Sequence, residues 1–210
     1  MNITIQPLSQ SNRADFFDFF DNRAFTDDSP YNPCYCCCFH MTPEEVKNGV
    51  GRRAQELGGG YEGLRGALRE AAERLMEQGI MQGYLAYDGE LAIGWCNAND
   101  RQNYLRTGSF NPGKQQEEDY CIAPGEKGKV KAVVCFEIAP EYRGKGIAGA
   151  LLQRVLEDAK TDGFELAEVY PQELEAPTVY DFTGPAAMYQ KAGFEEAARH
   201  GKTIVMRKRL

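Results

Sequence analysis

An apolar run from Val130 to Ile138 ends in Ala139-Pro140-Glu141-Tyr142-Arg143-Gly144-Lys145-Gly146, and an amphipathic run opens at Ile147. This junction restricts the possible folds more than any other stretch. The first run reads as a strand. The second reads as a helix to about Thr161, with Leu151, Leu152, Val155, Leu156 and Ala159 on one face. A short basic turn containing glycines joins them. Such a turn leaves backbone N–H groups unbonded at a helix start, where a phosphate group can be held.

The rest of the chain mixes strands and helices without strict alternation. Asn2 to Pro7 alternates as a first strand, and Ser11 to Ala24 reads as a helix rich in phenylalanine. Residues 26–42 are irregular, Pro43 to Ala54 reads as a short helix, and Gly58-Gly59-Gly60 is a break. Leu64, Ala67, Leu68, Ala71 and Leu75 then recur at helical spacing. Met81 to Tyr87 and Leu91 to Asn97 flank Asp88-Gly89, a strong hairpin signal. A polar, loop-rich stretch over 99–129 follows. Beyond the long helix, Phe164 to Tyr170 reads as a strand and Pro171 to Thr183 as a loop. A short helix then runs from Gly184-Pro185 through Lys191, before strands at Phe194 to Arg199 and Thr203 to Arg207. The pattern predicts mixed α/β (α+β) architecture in a single domain spanning 1–210.

Composition narrows the partners. A net charge of −7 argues against a nucleic-acid binder that relies on overall basicity. No apolar run approaches a membrane span, and the first residues show no secretory leader pattern. The 7 cysteines are odd in number, and Cys34, Cys36, Cys37 and Cys38 are crowded together. Neighbours of this kind do not build a disulfide framework, so reduced thiols in the cytoplasm are expected.

Three readings of the turn compete. Gly144-Lys145-Gly146-Ile147-Ala148-Gly149 matches G-x-G-x-x-G, with Glu165 or Glu168 about 20 residues on, as in a dinucleotide site. Against this, four residues separate the strand from the first glycine, and only about 60 residues remain after the motif. A Walker A loop is excluded because no Lys-Ser or Lys-Thr stands at the required place. The plainest reading is a solvated helix cap. The third is R-x-x-G-x-A, carried by Arg143, Gly146 and Ala148.

With its flanking strand and helix, that third pattern resembles the acyl-CoA-binding motif of the GNAT (GCN5-related) N-acetyltransferase superfamily. Tyr189-Gln190-Lys191-Ala192-Gly193-Phe194 is similar to that family's Y-x-x-x-G-F. Within the superfamily the chain resembles a little-characterised bacterial branch. The shared features are Cys34 and Cys36 as C-x-C, Gly94-Trp95-Cys96, Cys135-Phe136, Tyr170-Pro171 and Phe182-Thr183-Gly184. The resemblance implies a GNAT fold: a mixed, mostly antiparallel twisted sheet, splayed at the cofactor site, with helices on both faces.

It also implies a chemistry: acetyl transfer from acetyl-CoA to a primary amine by direct attack. The pyrophosphate would lie on the amides of Gly144, Lys145, Gly146, Ile147 and Ala148, with Arg143 and Lys145 adding positive charge. Phe136 and Ile138 would run beside the pantetheine arm, and the Ile138 N–H would polarise the thioester carbonyl. Tyr189 is the candidate general acid, protonated at neutral pH, although it could equally be a packed core tyrosine. Glu137, a carboxylate in an apolar strand, is the candidate base if burial raises its pKa; His40 and His200 are alternatives. The glutamate position of histone acetyltransferases falls near Ala132, where this chain has no carboxylate.

Cys36, Cys38 and Trp95 are candidate acceptor-side residues, with residues 26–80 shaping the pocket. A small-molecule amine is the expected partner, with no nucleic acid or membrane, and the sequence leaves room for a homodimer. No metal is expected: a structural zinc site needs two separated knuckles, so Cys96 or Cys121 would have to join the single cysteine run. Two other classes remain open. One is a non-catalytic acyl-CoA-binding or sensing module that keeps Arg143 to Ala148 but lacks the acid and base. The other is a zinc or redox protein built on the cysteine cluster.

Overall fold

A computed structural model describes residues 2–105, 128–176, 178–179 and 181–210. Seven strands form one sheet: β1 (Ile3–Pro7), β2 (Gly83–Asp88), β3 (Leu91–Asp100), β4 (Val130–Ile138), β5 (Leu166–Val169), β6 (Glu195–His200) and β7 (Thr203–Arg209). Their order is β1-β2-β3-β4-β5-β7-β6, and only β4 and β5 run parallel. The helices are α1 (Arg13–Asn22), α2 (Gly51–Glu56), α3 (Gly60–Glu77), α4 (Ile147–Thr161) and α5 (Ala186–Lys191). A π-helical stretch, Glu45–Val50, leads directly into α2.

Two apolar layers sandwich the sheet. On one face, Phe16, Phe17, Phe19 and Phe20 of α1 pack with Tyr35, Trp95 and α3 residues such as Ala67, Ala71 and Leu75. Phe16 meets the Trp95 indole edge-on at 4.8 Å between centroids. On the other face, Leu151, Leu152, Val155, Leu156 and Ile147 of α4 cover Val133, Phe136, Ile93 and Tyr189. These buried positions of α4 recur at helical spacing, and this is why the 3.6-residue period picks out its inner face.

Local signals act as expected in the hairpin. Asp88 and Leu91 pair directly, and Gly89 takes a left-handed φ of 64° in the turn. The structure differs from the sequence expectation at element ends. β3 runs on to Asp100 because its later residues find partners on β4. β5 is only Leu166–Val169, because pairing to β4 stops at Val133. The expected loop over 99–129 therefore begins later, and its 106–127 portion, with Cys121, lies outside the described residues.

The end of that pairing positions the site. Val130 to Val133 of β4 lie beside β5, but the strand continues to Ile138 with only β3 as its ladder partner. Past Val133 the two parallel strands diverge.

Candidate active site

β4 ends at Ile138, a single 3-10 turn follows at Pro140–Tyr142, and Gly144 and Gly146 take left-handed φ angles of 73° and 82° before α4 begins. Gly146 is the N-cap of α4 and supplies no side-chain cap. An added Cβ at either glycine would meet nothing within 4 Å. The first intrahelical bond runs from Ala150 N–H to Gly146 C=O at 3.0 Å, so the amides of Ile147, Ala148 and Gly149 precede the helical ladder. The turn is thus an open helix N-terminus bearing the partial positive charge that attracts anions. Lys145 lies over the Tyr142 ring, 5.0 Å from its centroid.

Arg143 reaches back over β4. Its Nε donates to the Ile138 carbonyl at 3.0 Å, Nη1 to Asp27 at 2.6 Å and Nη2 to Glu137 at 3.4 Å. The positive charge that sequence reading directs to phosphate is here held by two carboxylates. Asp27 lies 116 positions upstream, and no local pattern around it signals the contact.

On the diverging side of β4, alternate amides point away from β3. Ala139 N–H bonds Ile93 on the β3 side at 3.0 Å, while Phe136 N–H donates across the gap to the Phe182 carbonyl at 2.7 Å. The turn Asp181-Phe182-Thr183-Gly184 therefore crosses the splay. Asp181 folds this turn by accepting from Thr183 N–H at 3.1 Å and Thr183 Oγ1 at 2.7 Å. The Ile138 N–H bonds the Glu137 carboxylate.

The two candidate proton-transfer groups lie on either side of this strand end. The Glu137 side chain is buried on the α1 face, paired across the ladder with Trp95. Burial pushes its pKa up to about 8, outweighing the opposing pull of Arg143, while the charge of Asp27 adds to the rise. Tyr189 belongs to the α4-side core and is fully buried; its hydroxyl donates to the Thr183 carbonyl at 2.5 Å. Burial holds its pKa well above that of free tyrosine, so the phenol keeps its proton.

The cysteine run packs against the same strand end. The Cys36 thiol hydrogen-bonds Cys135, and the charge of Glu137 raises the pKa of both Cys34 and Cys135. Cys36 itself has a positive φ of 56°, with its N–H held by Cys34 Sγ at 3.2 Å. Phe182 stacks edge-on with Tyr31 at 4.9 Å and tilts toward Phe39 at 6.3 Å, so this loop and the 181–184 turn share one aromatic contact. Cys38 is half-buried at the border of this layer. Trp95 lies deeper: it is fully buried, and a Cβ on Gly83 would strike its ring at 2.4 Å.

Other candidates lie apart. His40 is buried, donates from Nδ1 to the Asn103 carbonyl at 2.8 Å, stacks on Tyr104 at 4.7 Å, and has its pKa lowered to about 4 by burial. His200 ends β6, the far edge of the sheet. Cys96 packs in the α4-side core, and among the described residues no group of three His, Cys, Asp or Glu side chains could hold a metal ion. The dinucleotide reading fails on topology, because β5 is followed by antiparallel β7 rather than another parallel strand. Glu168 is also fully buried against Arg101, Arg207 and Tyr170.

Sequence reasoning missed Asp27 and the bridging role of Phe182. Only the second had a visible signal, the Asp-x-Thr-Gly turn chemistry around it.

An open glycine turn at a helix start, beyond a strand that parts from its parallel neighbour, defines an acyl-CoA-dependent transferase architecture. The family model for the GNAT acetyltransferase domain matches residues 79–196, and the chain belongs to that family. Solved structures share the fold over nearly the whole chain at low identity. The PaiA N-acetyltransferase of Thermoplasma acidophilum, solved in complex with coenzyme A, is 16% identical, with 100% of each chain covered and a TM-score of 0.51. A protein of Pyrococcus horikoshii is 17% identical, with 100% of this chain and 99% of that chain covered and a TM-score of 0.50. YncA of Salmonella typhimurium, solved with its cofactor acetyl-CoA, is 11% identical, with 99% and 94% covered and a TM-score of 0.50. No curated protein sequence matches the chain. No helix among the described residues is long and apolar enough to cross a membrane.

Proposed function

We propose that this protein transfers the acetyl group of acetyl-CoA to a primary amine of a small molecule by direct attack. One observation carries the reading: the open, uncapped start of α4 lies just beyond the splayed end of β4, with Glu137 and Tyr189 beside that end.

The pyrophosphate sits on the amides from Gly144 to Ala148, where glycine lets it approach the backbone closely. The pantetheine arm follows Phe136 and Ile138. Phe136 N–H is occupied by Phe182 and the Ile138 carbonyl by Arg143, so the Ile138 N–H exchanges its Glu137 contact for the thioester carbonyl. Glu137 takes a proton from the incoming ammonium, and the neutral amine attacks the carbonyl carbon. The C–S bond then breaks, Tyr189 gives its proton to the departing thiolate after exchanging the Thr183 carbonyl for sulfur, and the surplus proton of the attacking nitrogen restores the phenol. Residues 26–80, with Cys36, Cys38 and Trp95, wall the acceptor side. The reading places the enzyme in the cytoplasm, where its six described free thiols stay reduced, with no nucleic-acid or membrane partner and with room for a homodimer.

Thiol release from acetyl-CoA across a panel of primary amines tests this reading. Turnover should appear with at least one amine. Tyr189→Phe should lower kcat by about 100-fold or more while leaving KM for acetyl-CoA nearly unchanged. If acetyl-CoA binds but no thiol is released with any amine, the protein is an acyl-CoA sensor instead.

A further inference from the structure

A cavity of about 510 Å3 opens at the other end of the sheet from the glycine turn. It lies where β1 ends, β2 and β4 begin, and α3 and α4 finish. Lys131 lines it and Ile138 marks the turn end of the same strand, so the two regions are about 23 Å apart at strand rise. The cavity is therefore remote from any chemistry at the turn, and its volume suits a small-molecule ligand.

Its described walls carry three kinds of chemistry. The first is a buried cation. Lys131 is only 5% exposed, lies over the Phe164 ring at 5.1 Å, and has no hydrogen-bond acceptor or ion-pair partner among the described residues. Burial lowers its pKa, and the nearby charge of Asp162 opposes that shift without closing on the ammonium. The second is an acidic rim on the end of α4, formed by Asp158 and the exposed Asp162. Asp158 is bonded by Arg154 at 2.8 Å, whereas the Asp162 side chain has no such partner among the described residues. The third is apolar: Met76 and Met81 are buried and present their surfaces to the same space. Arg13, also on the wall, is already tied to Glu73 and Glu77.

We propose that this cavity is a second ligand site, for a small zwitterion with an apolar side chain, namely an α-amino acid. Its carboxylate pairs with Lys131, its ammonium with Asp162 and Asp158, and its side chain packs on Met76 and Met81. A simple carboxylate would satisfy Lys131 but meet the acidic rim, and a simple amine would do the reverse. The zwitterion complements both walls.

Thermal unfolding with each of the twenty L-amino acids at about 5 mM, followed by calorimetry on any that stabilise, tests the proposal. One or more amino acids with apolar side chains should raise Tm, while acetate and the matching decarboxylated amine should not. Lys131→Met and Asp162→Asn should each weaken binding by about tenfold or more. Lys131→Met should leave the free protein about as stable as the parent, because it replaces a largely buried cation, whose pKa burial lowers, by an apolar chain of similar length. Asp162 is exposed, so its substitution tests the site without risk to the fold. The proposal is overturned if no amino acid shifts Tm, or if affinity survives Lys131→Met unchanged. Neither readout uses acetyl-CoA, so the result stands apart from the fate of the acetyl-transfer reading.

Discussion

Glu137 is where sequence and structure meet most directly. A carboxylate in an otherwise apolar strand is visible in the sequence, and burial is the reason its pKa rises to about 8. Its tie to Asp27 through Arg143 is not visible, because it joins residues far apart along the chain and depends on how the loop after α1 returns to β4. The raised pKa has two consequences of known sign. As a base, Glu137 must be ionised, so the rate should climb as pH rises through about 8, and Glu137→Gln should flatten that profile and lower kcat. In stability, the folded pKa lies above the unfolded value of 4.5, so ionisation opposes folding. Wild-type stability is therefore fully present below that unfolded value and is lost as pH rises toward 8. Glu137→Gln removes the loss, and urea denaturation at pH 8.5 should find the variant more stable by on the order of 3 kcal/mol once the Arg143 contact is given up. A variant less stable than wild type at that pH would show that the ion pair outweighs burial.

At the scale of elements, the β4–turn–α4 unit was the most legible part of the chain. Its apolar strand, helical stripe and glycines each act through local rules, and the structure keeps them together in one unit. The short strand β5 and the 181–184 turn were less legible, because their limits are set by where β4 and β5 part, a property of two strands together rather than of one segment. Gly146 combines local and functional demands: it holds a left-handed φ of 82° and faces open space. Gly146→Ala should cost about 1 kcal/mol of stability from the backbone conformation alone. On the proposed function it should also weaken coenzyme A binding at least tenfold, since a methyl group enters the phosphate approach. Calorimetry with coenzyme A and thermal unfolding on the same sample separate the two effects. Weakened stability with unchanged affinity would place the pyrophosphate elsewhere.

For the whole molecule, the mixed architecture follows from the mixing of strands and helices along the sequence, but the closure of the sheet does not. β7 inserts between β5 and β6, an order no local pattern dictates. Glu168 helps fix that order: it is fully buried and bonded by Arg101 after β3, by Arg207 of β7 and by the Tyr170 hydroxyl. Three distant segments meet at one carboxylate. Glu168→Gln leaves two largely buried guanidinium groups undercompensated and should destabilise the protein by about 3–5 kcal/mol in urea at pH 7. A loss below 1 kcal/mol would mean the network adds nothing to closure.

The bridge across the splay, Phe136 N–H to Phe182 C=O, is made by main-chain atoms on both sides. Replacing the side chain at either position leaves the donor and acceptor in place, provided neither becomes proline at the donor. Residues around the gap can therefore diverge in shape and polarity while the crossing turn stays anchored. The scaffold separates what must be inherited from what can be varied, and a lineage built on it could explore new acceptors one side chain at a time.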